Sequence, residues 1–235
     1  RPWIDENEMS PMMPISFTAR DGLTVNGYLT IPKNSDGKNL PLIVNPHGGP
    51  ASRDIWGYRG ETQFLASRGY AVLSMNFRGS TGYGRKHVIE GNKQWGRKMQ
   101  DDVTDSVNWA VEQGYANPDK VCIHGASYGG YAVMAGITKT PKMYKCAVNY
   151  VGVTDMGLLF SKMPKQWEIW EEQQKVEIGD YDNEKDYLDA VSPINLVDKI
   201  ETPLYIVHGV RDWRVPIQHA QKLRKELEKN GKKLG

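Results

Sequence analysis

Five short runs of apolar residues recur along the chain, and helical patterns separate them. These runs are nearly continuous in Val, Ile, Leu and Tyr instead of alternating with polar residues, which is typical of strands covered on both faces. Such strands form parallel sheets that lie between two layers of helices, so the pattern predicts an α/β fold. The runs are PLIVN at 41–45, YAVLSMN at 70–76, KVCIHG at 120–125, CAVNYV at 146–151 and PLYIVHG at 203–209.

The segments around these runs complete the predicted architecture. ISFTAR, a turn at Asp21-Gly22 and LTVNGYLTI predict a β-hairpin before the first run. DDVTDSVNWAVEQG and HAQKLRKELEKNG each place apolar residues on one face at helical spacing, and both are predicted helices. The second of them ends at Gly231, a residue type that commonly terminates helices.

A chain of 235 residues is long enough for one sizeable core, so we predict a single domain. Residues 1–14 contain three prolines and no periodicity, and we interpret them as an incoming linker, with the domain at 15–235. Residues 155–190 interrupt the alternation and are predicted to be an excursion above the sheet. The alternative is a packing helix whose tryptophans, Trp167 and Trp170, belong to the core.

Composition excludes several classes of partner. The formal net charge is only +2 and the lysines are interleaved with acids, so neither a nucleic acid nor an anionic membrane surface is expected as a partner. No apolar run approaches the roughly 20 residues that span a bilayer. The histidines and cysteines lack zinc-ligand spacing and no phosphate-binding loop is present, so neither a metal nor another cofactor is predicted.

The two cysteines, Cys122 and Cys146, both fall inside predicted buried strands. We interpret them as buried free thiols, the usual state of cysteines in such positions. On this interpretation the two cysteines do not indicate the cellular compartment.

KVCIHGASYGGY at 120–131 contains a Gly-x-Ser-x-Gly pattern centred on Ser127. The pattern follows a predicted strand and leads into YGGYAVMAGIT, which is compatible with a helix. This strand–turn–helix context is that of a nucleophile elbow, in which small flanking residues, here Gly125 and Gly129, allow a tight turn that exposes the serine. The alternative is a glycine-rich turn with an idle serine.

Two further loops are predicted at the same carboxyl edge of the sheet. NPHGGP at 45–50 offers backbone amides beside the elbow, and acyl transfer needs two such N–H groups to stabilise the developing oxyanion. The candidate donors are the amide of Tyr128 and that of Gly49 or a neighbour in its loop. Asp212, in VHGVRDWRVP at 207–216, is a candidate for the acid that orients a catalytic histidine.

Together, HGGP, FRGSTGYG at 77–84, GASYGGYA at 125–132 and HGVRDWRVP resemble the catalytic domain of the prolyl oligopeptidase family of serine peptidases. The SYGG form is most similar to the dipeptidyl-peptidase and acylaminoacyl-peptidase branches. The resemblance implies an α/β-hydrolase fold with Ser127 as nucleophile, Asp212 as triad acid, and Tyr128 and Gly49 as oxyanion donors. It also implies an apolar substrate pocket near Val153, Met156 and Leu159, with Val215 opposite, and an N-terminal β-propeller upstream of the linker.

No histidine in the sequence fits the position of the triad histidine. In α/β hydrolases the order along the chain is serine, acid, histidine, and only His219 follows Asp212. His219 falls in the first turn of a predicted helix, whereas the histidine of the family comes later, after one further strand. His47, His87, His124 and His208 are assigned structural roles, with His87 on a surface segment. We therefore expect a chain truncated before the C-terminal strand and histidine loop, and inactive by itself.

The sequence thus predicts a serine peptidase domain that hydrolyses short peptides, releasing dipeptides or acylated residues, through an acyl-enzyme on Ser127. A carboxylesterase on the same fold is one alternative, and an interaction domain that has lost catalysis is another. Substrate preference, compartment and assembly, including whether the protein forms a homo-oligomer, are left open.

Overall fold

A computed structural model describes residues 4–232 and shows a seven-stranded sheet in the order β1-β2-β4-β3-β5-β6-β7. The β1–β2 and β2–β4 pairs are antiparallel, and the remaining pairs are parallel. All five apolar runs form strands and the predicted hairpin is present. The strands are β1 (Met12–Thr18), β2 (Thr24–Thr30), β3 (Leu40–Val44), β4 (Ala71–Asn76), β5 (Ala116–Ala126), β6 (Cys146–Tyr150) and β7 (Leu204–Val207).

Eight α-helices within residues 4–232 surround the sheet, which confirms the predicted α/β class. Both predicted helices are present as α3 and α8, and α4 packs against β5 and β6. None of the helices described is long and apolar enough to cross a bilayer. The helices are α1 (Gly60–Ala66), α2 (Arg85–Ile89), α3 (Lys98–Glu112), α4 (Tyr128–Lys139), α5 (Met156–Ser161), α6 (Glu171–Glu177), α7 (Lys185–Ala190) and α8 (Gln218–Lys229).

The two irregular segments of the sequence differ in the structure. β1 begins at Met12 and so takes in Met12–Pro14, which the sequence analysis assigned to the linker, while residues 1–3 of that linker lie outside the described residues. The 155–190 segment joins β6 to β7 through α5, α6 and α7 and contains no strand. Trp170 is about half exposed within it, so this tryptophan is not a core residue.

A buried ion cluster fixes the loop that follows β4. The Arg78 side chain is only 1% exposed and donates to both carboxylate oxygens of Asp102 at 2.6 and 2.8 Å. It also donates to both oxygens of Asp21 in the β1–β2 turn, and these hydrogen bonds hold the pKa of the Asp21 carboxyl well below its usual value. Because a buried guanidinium needs such partners, the cluster anchors the start of the 77–84 loop.

The prediction of free thiols is wrong. Cys122 and Cys146 are register partners on the neighbouring strands β5 and β6, and they form a disulfide. Their Cα atoms are 4.7 Å apart, within the range that a disulfide bridges. This disulfide depends on how the two parallel strands are aligned. The sequence of one strand alone does not reveal that alignment.

Candidate active site

Ser127 lies at the turn between β5 and α4 in a strained conformation. Its backbone has φ 57° and ψ −119°, although a non-glycine residue rarely adopts positive φ. Backbone contacts hold this conformation on both sides: the Ser127 N–H donates to the Tyr150 carbonyl at 3.1 Å, and the Ser127 carbonyl accepts from the Tyr131 N–H at 3.0 Å. Strain retained in this way is often found at functional sites. The residue is partly exposed at the start of the helix.

The glycines of the motif are required by close packing. A Cβ on Gly125 would lie 2.5 Å from the carbonyl oxygen of Gly129, so a side chain would force the two ends of the turn apart. A Cβ on Gly129 would collide with the carbonyl oxygen of Pro46, in the HGGP loop. The elbow and that loop are therefore in direct backbone contact.

The HGGP loop also reaches the candidate nucleophile. A Cβ on Gly48 would lie 3.0 Å from the Ala126 carbonyl and 3.5 Å from the Cβ of Ser127. Within residues 4–232, the N–H groups of Gly49 and Tyr128 make no hydrogen bond to a backbone carbonyl. Their role as oxyanion donors stays a prediction.

Asp212 lies in the loop after β7, at the same edge of the sheet as Ser127. Backbone hydrogen bonds align the strand ends: Ser127 bonds to Tyr150 at the end of β6, and the Val151 N–H donates to the carbonyl of Val207, the last residue of β7, at 2.8 Å. Neighbouring strands are about 4.8 Å apart, so the end of β7 lies roughly 10 Å from the elbow, with β6 between them. An imidazole placed above β6 would lie between the two loops.

One oxygen of the Asp212 carboxylate shapes its own loop. Oδ1 accepts from the N–H groups of Arg214 and Val215, both at 2.9 Å. In the part of the chain that the structure describes, Oδ2 has no partner. One carboxylate oxygen is thus fixed by the backbone and the other is left to accept a further hydrogen bond.

None of the five histidines hydrogen-bonds to Ser127 or Asp212. His219 lies in the first turn of α8 as predicted, but it is fully buried and its Nδ1 accepts from the Thr154 N–H at 3.2 Å. Burial lowers the pKa of His219 to about 4. The Nε2 of His208 donates to the Val215 carbonyl at 2.7 Å, and the Nδ1 of His124 lies 3.1 Å from a Glu61 oxygen.

The predicted surface position of His87 is wrong. The residue lies in α2 and is buried, with its Nε2 3.1 Å from the Asn76 and Phe77 carbonyls. Capping of carbonyls at the end of β4 explains this burial, because the helix turns the ring back onto the strand.

The four predicted pocket residues share one property: each is buried in the main apolar cluster. Their role in substrate binding stays a prediction. They are Val153, Met156, Leu159 and Val215.

The sequence analysis missed two features next to the elbow. The His47 side chain, which the sequence analysis assigned only a general structural role, bonds to Ser80 in the 77–84 loop, a contact between motifs that no single motif shows. Val151 has φ 46°, a genuine outlier for a β-branched residue, and it lies directly after the Tyr150 carbonyl that holds Ser127. The sequence Val–Gly after a strand does not predict a positive φ at the valine.

Comparison with known proteins decides the family. Residues 56–235 match the prolyl oligopeptidase family. The chain belongs to this family. The resemblance drawn from the four motifs is confirmed, as is the α/β-hydrolase fold that it implied.

Individual members of the prolyl oligopeptidase family extend the match to nearly the whole chain. Dipeptidyl aminopeptidase BIII from Pseudoxanthomonas mexicana is 41% identical over 97% of this chain and 34% of its own length. Acylamino-acid-releasing enzyme from Sus scrofa is 27% identical over 96% of this chain and 33% of its own length. A solved puromycin-hydrolyzing peptidase from Mycobacterium tuberculosis superposes with a TM-score of 0.91 at 26% identity, covering 97% of this chain and 35% of that one. The chain spans about a third of the length of these relatives.

Proposed function

We propose that this chain is the catalytic part of a serine peptidase that cleaves short peptides, releasing dipeptides or acylated residues from their N-termini. The observation that carries the proposal is the strained Ser127 elbow, with the HGGP loop packed directly on it. Strain of this kind costs about 1–3 kcal/mol, which an idle serine in a glycine-rich turn has no reason to retain. The peptidase names of the relatives agree with this chemistry.

In this mechanism the Ser127 Oγ attacks the scissile carbonyl and forms a tetrahedral intermediate. The N–H groups of Tyr128 and Gly49 donate to its oxyanion, each being worth about 3–4 kcal/mol when preorganised. A histidine accepts the serine proton and returns it to the leaving amine, while Asp212 orients that histidine through its unpaired Oδ2. Water then hydrolyses the acyl-enzyme.

The histidine of this mechanism is not one of the five in the chain, since each has another contact and none reaches the site. We propose that catalysis uses a histidine other than these five. The relatives are about three times as long as the chain, which supports a longer protein. We propose that it includes an upstream β-propeller that admits only short peptides, with residues 155–190 of this chain lying over the sheet.

The test compares two substrates on the full-length protein: a peptide p-nitroanilide and a p-nitrophenyl ester. A peptidase cleaves the anilide, and Ser127→Ala abolishes this activity. Fast ester turnover with no anilide cleavage would instead identify a carboxylesterase. Labelling by a fluorophosphonate reports an activated serine, so a full-length protein that neither turns over substrate nor labels would be a non-catalytic interaction domain.

A further inference from the structure

A histidine side chain closes the Asp212 loop, residues 208–215. His208 is the first residue after β7, and its Nε2 lies 2.7 Å from the carbonyl oxygen of Val215. A carbonyl oxygen only accepts, so Nε2 carries a hydrogen and donates it to Val215. The half-buried imidazole therefore joins the first residue of the loop to the last.

Val215 is also a residue on which the Asp212 carboxylate is anchored. The Val215 N–H donates to the Oδ1 of Asp212 at 2.9 Å, while the Val215 carbonyl accepts from His208. Both polar groups of this backbone are thus bonded, and the Val215 side chain is buried. A shift of the Val215 backbone would move the N–H that holds Oδ1, so the direction in which Oδ2 points depends on where this backbone is held.

The strand end before His208 is aligned with the candidate nucleophile. The carbonyl of Val207, the last residue of β7, accepts from the Val151 N–H at 2.8 Å, and the carbonyl that precedes Val151, at the end of β6, accepts from the Ser127 N–H. The imidazole of His208 therefore connects the anchor of Asp212 to a backbone that is already bonded toward Ser127.

We propose that His208 is a positioning residue that, by donating to the Val215 carbonyl, holds the Asp212 carboxylate in the orientation from which Oδ2 reaches the catalytic histidine. The proposal rests on the peptidase function proposed above and deepens it. The loop needs such a bond because packing holds its middle only weakly: Val210 is largely exposed and Trp213 is about half exposed.

The test uses two substitutions of His208 in the full-length protein, with kcat and KM measured on a peptide p-nitroanilide. His208→Gln places an amide N–H near the position of Nε2 and retains a donor for the Val215 carbonyl. His208→Asn has a shorter side chain, whose amide lies near Nδ1 and loses this bond. His87→Asn is the matched control, since the Nε2 of His87 also bonds to carbonyls at a strand end, those of Asn76 and Phe77, but not in the Asp212 loop.

We expect His208→Asn to lower kcat by about 10- to 100-fold with KM nearly unchanged, because a catalytic group displaced by about 1 Å loses activity on this scale. His208→Gln recovers most of that loss, and His87→Asn lowers the melting temperature without lowering kcat. In a protein that already carries Asp212→Asn, His208→Asn has little further effect on kcat, because both substitutions act through one carboxylate.

Three results would each overturn the positioning role: a normal kcat in His208→Asn, an equal loss in the Asn and Gln variants, or an undiminished loss when His208→Asn is added to Asp212→Asn. In those cases, turnover by the wild-type protein and fluorophosphonate labelling of its Ser127 would leave the peptidase function standing. Absence of both turnover and labelling in the wild type would overturn the function itself, and the role of His208 with it.

Discussion

The elbow and the Asp212 loop lie at the same edge of the sheet but are built differently. Around Ser127 the backbone is packed so closely that Gly125 and Gly129 leave no room for a Cβ, and Tyr128 is buried against Phe77 and Trp95. Around Asp212 the loop is open: Val210 is 81% exposed and Trp213 is 52% exposed.

The comparison shows that one half of the candidate site is preorganised by the fold and the other by local hydrogen bonds alone. Nucleophile and oxyanion donors must be placed to within fractions of an ångström, and dense packing achieves this. In the proposed mechanism Asp212 acts through a histidine, so its loop needs only to present one carboxylate oxygen. Substitutions that disturb the backbone packing of the first half should therefore lower stability as well as activity, whereas those at Asp212 should affect activity alone.

The largest expected effect is on chemistry. Asp212→Asn retains an acceptor for the Arg214 and Val215 N–H groups but removes the charge that stabilises an imidazolium. We expect kcat of the full-length protein to fall by about 10³- to 10⁴-fold with an unchanged melting temperature. Asp119→Asn, at an exposed position on the far end of β5, is the control. A loss below tenfold would remove Asp212 from the mechanism.

The second prediction compares how closely the backbone is packed at the elbow and near Asp212, using one glycine from each. Gly129→Ala drives a Cβ into the Pro46 carbonyl and should lower the free energy of unfolding by about 3 kcal/mol or more. Gly209→Ala, before the Asp212 loop, meets no atom within 4 Å and should change it by less than about 0.5 kcal/mol. Denaturant unfolding measures the free energy of unfolding of each variant. Equal losses in the two variants would contradict the difference in packing between the elbow and the Asp212 loop.

Acid should destabilise the protein through the buried His219 in α8. The pKa of His219 falls from 6.5 to about 4 on burial, so between these values the unfolded chain binds a proton that the folded protein does not. Its contribution is complete above pH 6.5 and is lost as the pH falls toward 4, by up to about 3 kcal/mol. The lowered pKa of His47 acts in the same direction.

Thermal unfolding between pH 7 and pH 4.5 measures this dependence. We expect His219→Asn to flatten the dependence of the melting temperature on pH. Identical slopes in the wild type and His219→Asn would assign the acid sensitivity to other groups.

The smallest effect is expected at the boundary between the two halves. Val151 is only partly buried and holds φ 46°, so Val151→Gly relieves strain while losing little apolar contact. Glycine loses more conformational entropy on folding than valine, which offsets part of the relieved strain. We expect a net gain of about 1 kcal/mol in the free energy of unfolding. Val153→Gly, two residues on at a buried site with no positive φ, should be destabilising instead. A loss at both positions would argue against strain at Val151.

Local sequence was sufficient for the main strands, the two predicted helices and the elbow. The five apolar runs determined the strands because burial on both faces needs continuous apolar residues, and Gly-x-Ser-x-Gly determined the elbow because its turn excludes larger side chains. The order of the motifs along the chain also determined the family.

Tertiary structure decided whatever depends on the alignment of separate elements. The Cys122–Cys146 disulfide follows from the register of β5 and β6, the burial of His87 from how α2 turns back on β4, and the His47–Ser80 contact from two loops that meet behind the elbow. Positions distant in sequence become neighbours only when strands pair and helices pack, and periodicity within one segment carries no record of that pairing.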